Sequence, residues 1–424
     1  MIDERTKQEA RRRALAITET IERHHTRADG IIVCAINDSE KDGGRERPLV
    51  DDLGDFLPFT DYFGRRDIGD RHIAFLEARG GELAYRYAFD FTDMLLGLAW
   101  RLAGPYADEA SRRALARCAD AFLARHWDGQ AVRSYRFGPL APALLSGQDT
   151  AFVEAFLELS DPTGDAAWAS RAESLAAAFT AAPLFEASGL VPDTIARGKF
   201  AGLALSLLRP ESAGRARMVK ANANLGFGFL EAKRRGLAWA NEPLEKLTRA
   251  ILDGVRENGG APGNDLLPRA TRTPDLLAAF STIDFLCDAA ALSGSGELLD
   301  AARGIANFWL AQQSPVTGLF PKKAGGKTTY VDSETDMSVA LLRLWEHTGD
   351  DAHLSSAIRC VDGVHRFHFR ERGLVLEVDV ASGEVADPLL KGKFQALALK
   401  PLIYMIDGRR IIDSPELERL MRDR

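Results

Sequence analysis

The sequence predicts an all-α protein, a closed (α/α)6 toroid of six helical hairpins in a single domain that spans residues 1–424. Two observations predict this fold. Apolar and amphipathic helical segments alternate from about residue 85 onward, and long connections alternate with short ones. The repeat spacing of roughly 55–70 residues suits one hairpin plus a functional loop. An open α-solenoid of stacked hairpins is the main alternative.

The first kind of helical segment is apolar nearly all round, which predicts burial on more than one side. These segments are 87–104, 224–232, 281–294, 335–349 and 391–405. The second kind has Ala and Leu at spacings of three and four, as a one-sided apolar stripe requires. With 3–25 counted as the first amphipathic helix, about six inner and six outer helices result. The last segment is as apolar as the middle ones, which favours closure over a solenoid with a polar cap.

One inner helix is ambiguous, because two apolar segments, 197–208 and 215–235, lie between consecutive amphipathic helices. Only one of them can be the inner helix. The second runs directly into its outer partner through "RRGLAWANE", so we predict that 215–235 is the inner helix and that 197–208 is a helix inside a long loop.

The connections predict where function lies. Each apolar helix leads to its amphipathic successor through a few residues, whereas the return connections are long and rich in Gly and Pro. In a toroid, all the long loops fall at one end. Long loops on rigid helices usually carry binding residues, so we expect the site among these loops and the first turns of the inner helices.

Composition excludes several classes. The formal charge of −7 argues against a general nucleic-acid binder, which needs surplus Lys and Arg. The start, "MIDERTKQEARRR", has no apolar core, so we predict no secretory signal, and no apolar run approaches the ~20 residues of a membrane span. Four distant cysteines without a CxxC pair fit a reducing compartment. We predict a cytoplasmic protein.

An acidic and aromatic segment, "ERPLVDDLGDFLPFTDYFG", is predicted to form the first long loop. Its carboxylates Asp52 and Asp55 are candidate catalytic groups, and Tyr62 is a candidate substrate contact. Acids among aromatic rings suit sugar recognition, because rings stack on pyranose faces and carboxylates hold hydroxyl groups. The alternative is a surface loop whose rings pack on the protein and whose acids are solvated.

Further candidate carboxylates stand at helix starts. Glu334 and Asp336 lie in "YVDSETDMSV" and Asp149 lies in "SGQDTAF". A carboxylate there can instead cap the first helical turn, which the helix dipole also favours. Glycoside chemistry needs two carboxyl groups, one to protonate the leaving oxygen and one to act as base or nucleophile. Acids from different hairpins could supply such a pair.

Basic and tyrosine side chains gather in the same connections and suggest an anionic substrate held by charge-assisted hydrogen bonds. The candidate substrate-binding residues are Tyr135, Arg136, Arg197, Lys199, Tyr330, Lys391 and Lys393. The alternative is that each base pairs with a nearby acid. Asp193 and Asp387 stand four residues before Arg197 and Lys391, a spacing that predicts ion pairs if these turns are helical. Lys199 and Lys393 have no aspartate four residues upstream, and we expect a negatively charged group to lie beside each ammonium.

No cofactor or metal is predicted. The scattered Cys and His residues supply no convincing set of three or four zinc ligands. The sequence has no Walker loop, and the glycines at 226 and 228 lie inside a helix with no preceding strand, so they predict no nucleotide site.

The six-hairpin pattern resembles the six-hairpin glycosidase superfamily, which includes glycoside hydrolases, polysaccharide lyases and sugar epimerases. Within it, "VDDLGDFLPF" is similar to the acidic "DxGF"-type segment of the unsaturated glucuronyl hydrolases. That family has a catalytic aspartate near the first inner helix. The resemblance points to Asp52 or Asp55 in this chain.

We therefore predict a carbohydrate-active enzyme that hydrolyses an acidic sugar or oligosaccharide, either uronic or phosphorylated. Two alternatives remain open. A lyase or epimerase on the same scaffold would need a base such as Tyr135 or Tyr330 and cations that stabilise an enolate. A non-catalytic toroid or solenoid would bind a glycan or a protein, with each acid capping its own helix.

Overall fold

The structure is a computed structural model that describes residues 2–32, 35–37, 50–82, 88–134, 144–197, 203, 219–258, 260–263 and 273–409. For residues 35–37 and 50–52 the structure describes only the backbone. The chain forms two compact units. Unit 1 comprises Met1–Tyr85, Asp93–Asp120 and Trp309–Arg424, and unit 2 comprises Arg86–Thr92 and Ala121–Phe308. A single domain over 1–424 stays a prediction.

Helices dominate the described residues. They are α1 (Glu4–His24), α2 (Val50–Tyr62), α3 (Arg66–Arg79), α4 (Phe91–Ala103), α5 (Glu109–His126), α6 (Ala151–Thr163), α7 (Ala166–Thr180), α8 (Pro183–Ser188), α9 (Val219–Arg234), α10 (Asn241–Glu257), α11 (Leu276–Ser293), α12 (Gly296–Leu310), α13 (Val331–Thr348), α14 (Asp351–Gly363), α15 (Gly392–Leu397) and α16 (Leu399–Asp407). The strands are β1 (Ala35–Asn37), β2 (Leu144–Ser146), β3 (Thr194–Ala196), β4 (Thr328–Tyr330), β5 (Phe369–Arg370), β6 (Gly373–Leu374), β7 (Glu377–Asp379), β8 (Val385–Asp387) and β9 (Leu389–Lys391).

In unit 1 the apolar helix α13 packs against both α14 and α16, and α16 packs against α1. The prediction that 3–25 forms an amphipathic helix is confirmed by α1. This helix buries a single apolar stripe, formed by Ala10, Ala14, Ile17 and Ile21. Asp3 caps this helix, because its carboxylate accepts a hydrogen bond of 2.7 Å from the Thr6 amide. The apolar segments of the sequence thus form the interior of the unit.

In unit 2 the apolar helix α9 contacts α6, α10 and α11. The prediction that 215–235 supplies the inner helix is therefore confirmed. Of the competing segment 197–208, the structure describes Arg197 and one helical residue, Leu203. Among the described helices, α11 is long and apolar enough to cross a membrane by length and composition, and 72% of its apolar window is buried inside the protein.

The acidic segment that the sequence predicts as a loop is a helix. From Val50 to Tyr62 it forms α2, which packs against α3. Phe56 and Phe59 are buried in the core, and so is Tyr62. The Tyr62 ring packs edge-on against Phe63, with centroids 5.1 Å apart, and a substrate contact by Tyr62 stays a prediction. Burial of an apolar face outweighs the glycine and proline inside this helix.

Two glycines bring α2 and α4 into backbone contact within unit 1. A Cβ at Gly54 would lie 2.3 Å from the Asp93 carbonyl oxygen, and one at Gly97 would lie 2.3 Å from the Gly54 carbonyl oxygen. No larger residue fits at either position without separating the helices. Because Asp55 follows Gly54 and Asp93 stands one turn before Gly97, this close approach places the two carboxylates near each other.

Short antiparallel strands order the connections. Within unit 1, β1 pairs with β9, β5 with β6, and β7 lies between β4 and β8; within unit 2, β2 pairs with β3. The helical turns required for the Asp193–Arg197 and Asp387–Lys391 pairs are absent from these described segments, which are extended. Asp387 instead accepts a hydrogen bond of 2.9 Å from the Leu389 amide. The predicted i,i+4 ion pairs are wrong.

Candidate active site

A charged cluster in unit 1 is the candidate active site. The Lys393 ammonium lies 3.0 Å from Asp55 Oδ2 and 2.5 Å from Asp93 Oδ2. Asp55 comes from α2, Asp93 from the first turn of α4 and Lys393 from the first turn of α15. The packing of α15 on α2 and the glycine contact between α2 and α4 bring the three side chains together.

A second ion pair extends the cluster. Lys400 Nζ lies 3.8 Å from Asp336 Oδ1, and the two residues come from helices that pack together, α16 and α13. The positive charge of Lys400 also acts on Asp55. All five side chains keep some exposed surface, from 15% for Asp55 to 39% for Lys400.

The pKa of Asp55 is raised to about 6, first because burial disfavours the charged carboxylate and second because Asp93 adds like charge. Lys393 and Lys400 oppose this rise. A carboxyl group with such a pKa carries a proton in part of its population near neutral pH. It can therefore donate that proton to a substrate oxygen, as a general acid must.

The prediction that Lys393 holds a substrate anion is corrected by these contacts. The negative groups that meet it are Asp55 and Asp93, so the open alternative of base paired with acid is the one observed. Of the predicted site residues, Asp55, Asp336 and Lys393 thus share one cluster. Asp52 belongs to the same helix as Asp55, but its side chain lies outside the described residues, as do Tyr135, Arg136 and Lys199.

Glu334 does not belong to the accessible site. Its carboxylate is fully buried and accepts hydrogen bonds from the Phe320 amide at 2.8 Å, the Thr329 hydroxyl at 2.6 Å and the Cys360 thiol at 2.7 Å. These protein donors surround the carboxylate, and the catalytic role of Glu334 stays a prediction. Burial, with the three donors opposing it, raises the pKa of Glu334 to about 8.

This buried carboxyl group predicts a pH dependence of stability. Between the unfolded pKa near 4.5 and about 8, the folded state holds a proton that the unfolded state has lost, so stability falls as pH rises. In the wild type, this effect should lower the free energy of unfolding by up to about 1.4 kcal/mol per pH unit. We expect Glu334→Gln to remove this contribution. Urea unfolding of both proteins from pH 5 to 8 measures the difference.

The matched control for Glu334→Gln is Glu297→Gln, the same change at an exposed glutamate paired with Arg256. Its unfolding free energy should follow the wild-type pH curve. If the Glu334→Gln protein kept the wild-type slope between pH 5 and 8, a proton on the folded carboxyl group would be excluded.

Asp149 in unit 2 is also buried, with an exposed fraction of 1%. It stands in a 3-10 turn before α6 and accepts a hydrogen bond from the Ser134 hydroxyl, whose oxygen in turn accepts one of 2.6 Å from the Ser146 amide. Burial is the main cause that raises the pKa of Asp149 to about 7. The catalytic role of Asp149 likewise stays a prediction.

The remaining predicted contacts have protein partners. Arg197 forms an ion pair with Asp128 inside unit 2. Lys391 lies over the Phe394 ring at 4.7 Å, and Lys322 lies over the Tyr330 ring at 3.5 Å. Substrate contacts by Arg197, Lys391 and Tyr330 stay predictions.

Sequence reasoning missed Asp93 and Lys400. Both lie within segments that it classified as inner helices, "YAFDFTDMLLGLAW" and "KGKFQALALKPLIYM", where a charged residue interrupts an apolar run. Such an interruption was the available signal, because burying an unpaired charge is costly and therefore implies a partner.

Solved structures of carbohydrate-processing enzymes share the fold. The chain is similar to an alpha-1,2-mannosidase from Trichoderma reesei, with 12% identity over 94% of this chain and 92% of that one and a TM-score of 0.69. A cellobiose 2-epimerase from Bacillus thermoamylovorans follows, with 12% identity over 93% and 97% and a TM-score of 0.60. An unsaturated glucuronyl hydrolase from Bacillus sp. GL1 has 14% identity over 95% and 97% and a TM-score of 0.55.

These similarities confirm the predicted fold class, an all-α toroid of helical hairpins. At such low identity they show the fold alone. No family model matches the sequence, and no curated protein is similar to it at the sequence level.

Proposed function

We propose that the protein is a carbohydrate-active enzyme that hydrolyses a glycosidic bond. The observation that carries this proposal is the pair Asp55 and Asp93 on one ammonium group, with the pKa of Asp55 raised to about 6. Asp55 protonates the leaving oxygen as general acid. Asp93 is the second carboxylate, which glycoside chemistry requires as base or nucleophile. Structural similarity to two sugar hydrolases supports the proposal.

The spacing of the pair favours a covalent intermediate. Contacts of 3.0 and 2.5 Å to the same nitrogen hold the two carboxylate oxygens closer than the ~6.5–9.5 Å between carboxyl groups of inverting enzymes. Asp93 therefore attacks the anomeric carbon as the glycosidic bond breaks, and Asp55 gives its proton to the departing oxygen. Asp55 then takes a proton from water as the water oxygen attacks the anomeric carbon, and the bond between that carbon and Asp93 breaks. The sugar leaves with its anomeric configuration retained.

An acidic sugar is the proposed substrate class. Lys400 supports this, because its 3.8 Å separation from Asp336 is longer than a hydrogen bond and its side chain is 39% exposed. Its ammonium can therefore bind a carboxylate or phosphate of the sugar. We also propose a cytoplasmic location, which free thiols at Cys118, Cys287 and Cys360 support.

Paired chromogenic substrates test this proposal. We expect release of nitrophenol from p-nitrophenyl glucuronides or galacturonides, faster than from the matching glucosides and galactosides, which differ only at C6. NMR of the first product should show the anomer of the substrate. Faster cleavage of the neutral partners would contradict the acidic class, and initial release of the opposite anomer would contradict the Asp93 nucleophile. If neither anomer of any of these substrates is cleaved, the hydrolase proposal fails.

Epimerisation is the second candidate, because two ammonium groups beside a proton-bearing carboxyl group can stabilise an enolate. Structural similarity to a cellobiose 2-epimerase supports it. Incubation of free reducing sugars in D2O separates the two functions. Deuterium at C2 without glycoside cleavage would favour epimerisation.

A further inference from the structure

We infer that Lys393 is a positioning residue that controls the proton of Asp55, the proposed general acid, from its position in contact with both Asp55 and Asp93. The inference rests on the proposed function for its catalytic meaning. The effect of Lys393 on the proton of Asp55 stands on the geometry of the cluster.

Two carboxylates this close cannot both ionise freely, because like charges disfavour the second ionisation. A cation beside a buried carboxyl group favours its ionised form and so opposes the effect of burial. Lys393 lies 3.0 Å from Asp55 and 2.5 Å from Asp93, so its ammonium contacts both carboxylates. Asp55 is the more buried of the two side chains, with an exposed fraction of 15% against 23%, and Lys393 opposes the rise of its pKa.

The charged side chains around the two carboxylates support assigning this role to Lys393. From the described helices packed at the site, Lys400 of α16 also acts on Asp55, but it pairs with Asp336 of α13. Lys393 alone in the described cluster contacts both carboxylates. Its ammonium is half-buried, at 22% exposure, so water screens its charge less than that of Lys400, at 39%.

The backbone fixes the position of this charge. Lys393 is the second residue of α15, which follows directly on β9, and β9 pairs with β1 in register from Lys391 to Leu389. α15 also packs on α2, so the Lys393 side chain extends from a helix that is fixed both by β9 and by α2. The two glycines at the α2–α4 contact hold the carboxylates at matching positions.

NMR titration of the Asp55 side-chain carboxyl carbon, in protein labelled with carbon-13 aspartate and assigned with Asp55→Asn, tests the inference. The wild-type midpoint should lie at about pH 6. In Lys393→Met and Lys393→Gln the midpoint should rise by roughly one to three pH units, because the opposing cation is gone. Lys393→Arg restores the charge and should return the midpoint toward the wild-type value. Lys246→Met, at a lysine that donates to the Glu186 carbonyl, is the control and should leave it unchanged.

An unchanged Asp55 midpoint in both neutral variants would overturn the inference, and so would an arginine variant that behaves like the methionine one. Circular dichroism identifies a variant that fails to fold, and the glutamine variant, which keeps a hydrogen-bond donor, then supplies the comparison. Because the NMR titration needs no substrate, it separates this inference from the proposed function. If wild type hydrolyses glycosides, kcat of the neutral variants should fall and the alkaline limb of their pH profile should move upward with the midpoint.

Discussion

Replacing Asp55 by asparagine is expected to lower kcat for a glycoside with a poor leaving group by roughly 10²–10⁴-fold. The amide keeps the shape of the carboxyl group but has no acidic proton to donate. The alkaline limb of the wild-type pH profile, where activity falls as Asp55 loses its proton at about pH 6, should disappear in this variant.

Stability separates this loss from a folding defect. Because burial and Asp93 raise the pKa of Asp55, its ionisation destabilises the folded state as pH rises through about 6. Asparagine removes that ionisation, so the melting temperature at pH 7 should match or exceed the wild-type value. A variant that lost both activity and stability would contradict the assigned role.

Leaving-group dependence makes the test of Asp55 sharper. A dinitrophenyl glycoside needs little protonation of its leaving oxygen, so its first cleavage step should be almost as fast in Asp55→Asn as in wild type. Asp93→Asn should instead be slow with every leaving group. If Asp336→Asn reproduced the leaving-group pattern of Asp55→Asn, the general acid would be Asp336 and the proposed pair would be wrong.

The alternation of apolar and amphipathic helices was predictable because it follows directly from burial. α13 and α9 each pack against several other helices, so each carries a run of apolar or small residues, at 339–342 and 225–230, and such runs are visible without coordinates. The choice of 215–235 as an inner helix depended on the same signal together with the short connection that follows it.

The α2–α3 hairpin was not predictable by this signal. Pro58 and Gly54 are typical of loops, and the acids of α2 interrupt its apolar face. Yet Gly54 is required by the close approach to α4, a reason that lies in a distant part of the chain. Local propensity therefore indicated a loop where a tertiary contact makes a helix.

Only part of the candidate site was predictable from the sequence, because side-chain burial also depends on tertiary contacts. Acids at helix starts were visible, but capping, burial and catalysis use the same residue types. Burial distinguished Glu334 and Asp149 from Asp55, and burial depends on the packing of segments far apart in sequence. Lys393 was expected to meet negative charge, and the structure identified that charge as two aspartates of the protein itself.

Replacing Arg101 by methionine is expected to give the largest loss of stability, about 3–5 kcal/mol, because a buried ion pair loses one partner. The Arg101 side chain is fully buried in unit 1, where it forms an ion pair with the buried Asp61 and another of 2.5 Å with Asp70. Methionine fills a similar volume but leaves the Asp61 carboxylate buried without this cation. Urea unfolding should show the loss as a lower midpoint.

Arg66→Met is the matched control, because Arg66 also binds Asp70, at 3.1 Å, but with 57% of its side chain exposed. Exposed pairs of this i,i+4 kind contribute about 0.3–0.5 kcal/mol. The double variant Arg101→Met with Asp61→Leu should recover part of the loss, since it removes the stranded charge as well as its partner. Equal losses in the two methionine variants would mean that burial of the Arg101–Asp61 pair does not determine the stability of this unit.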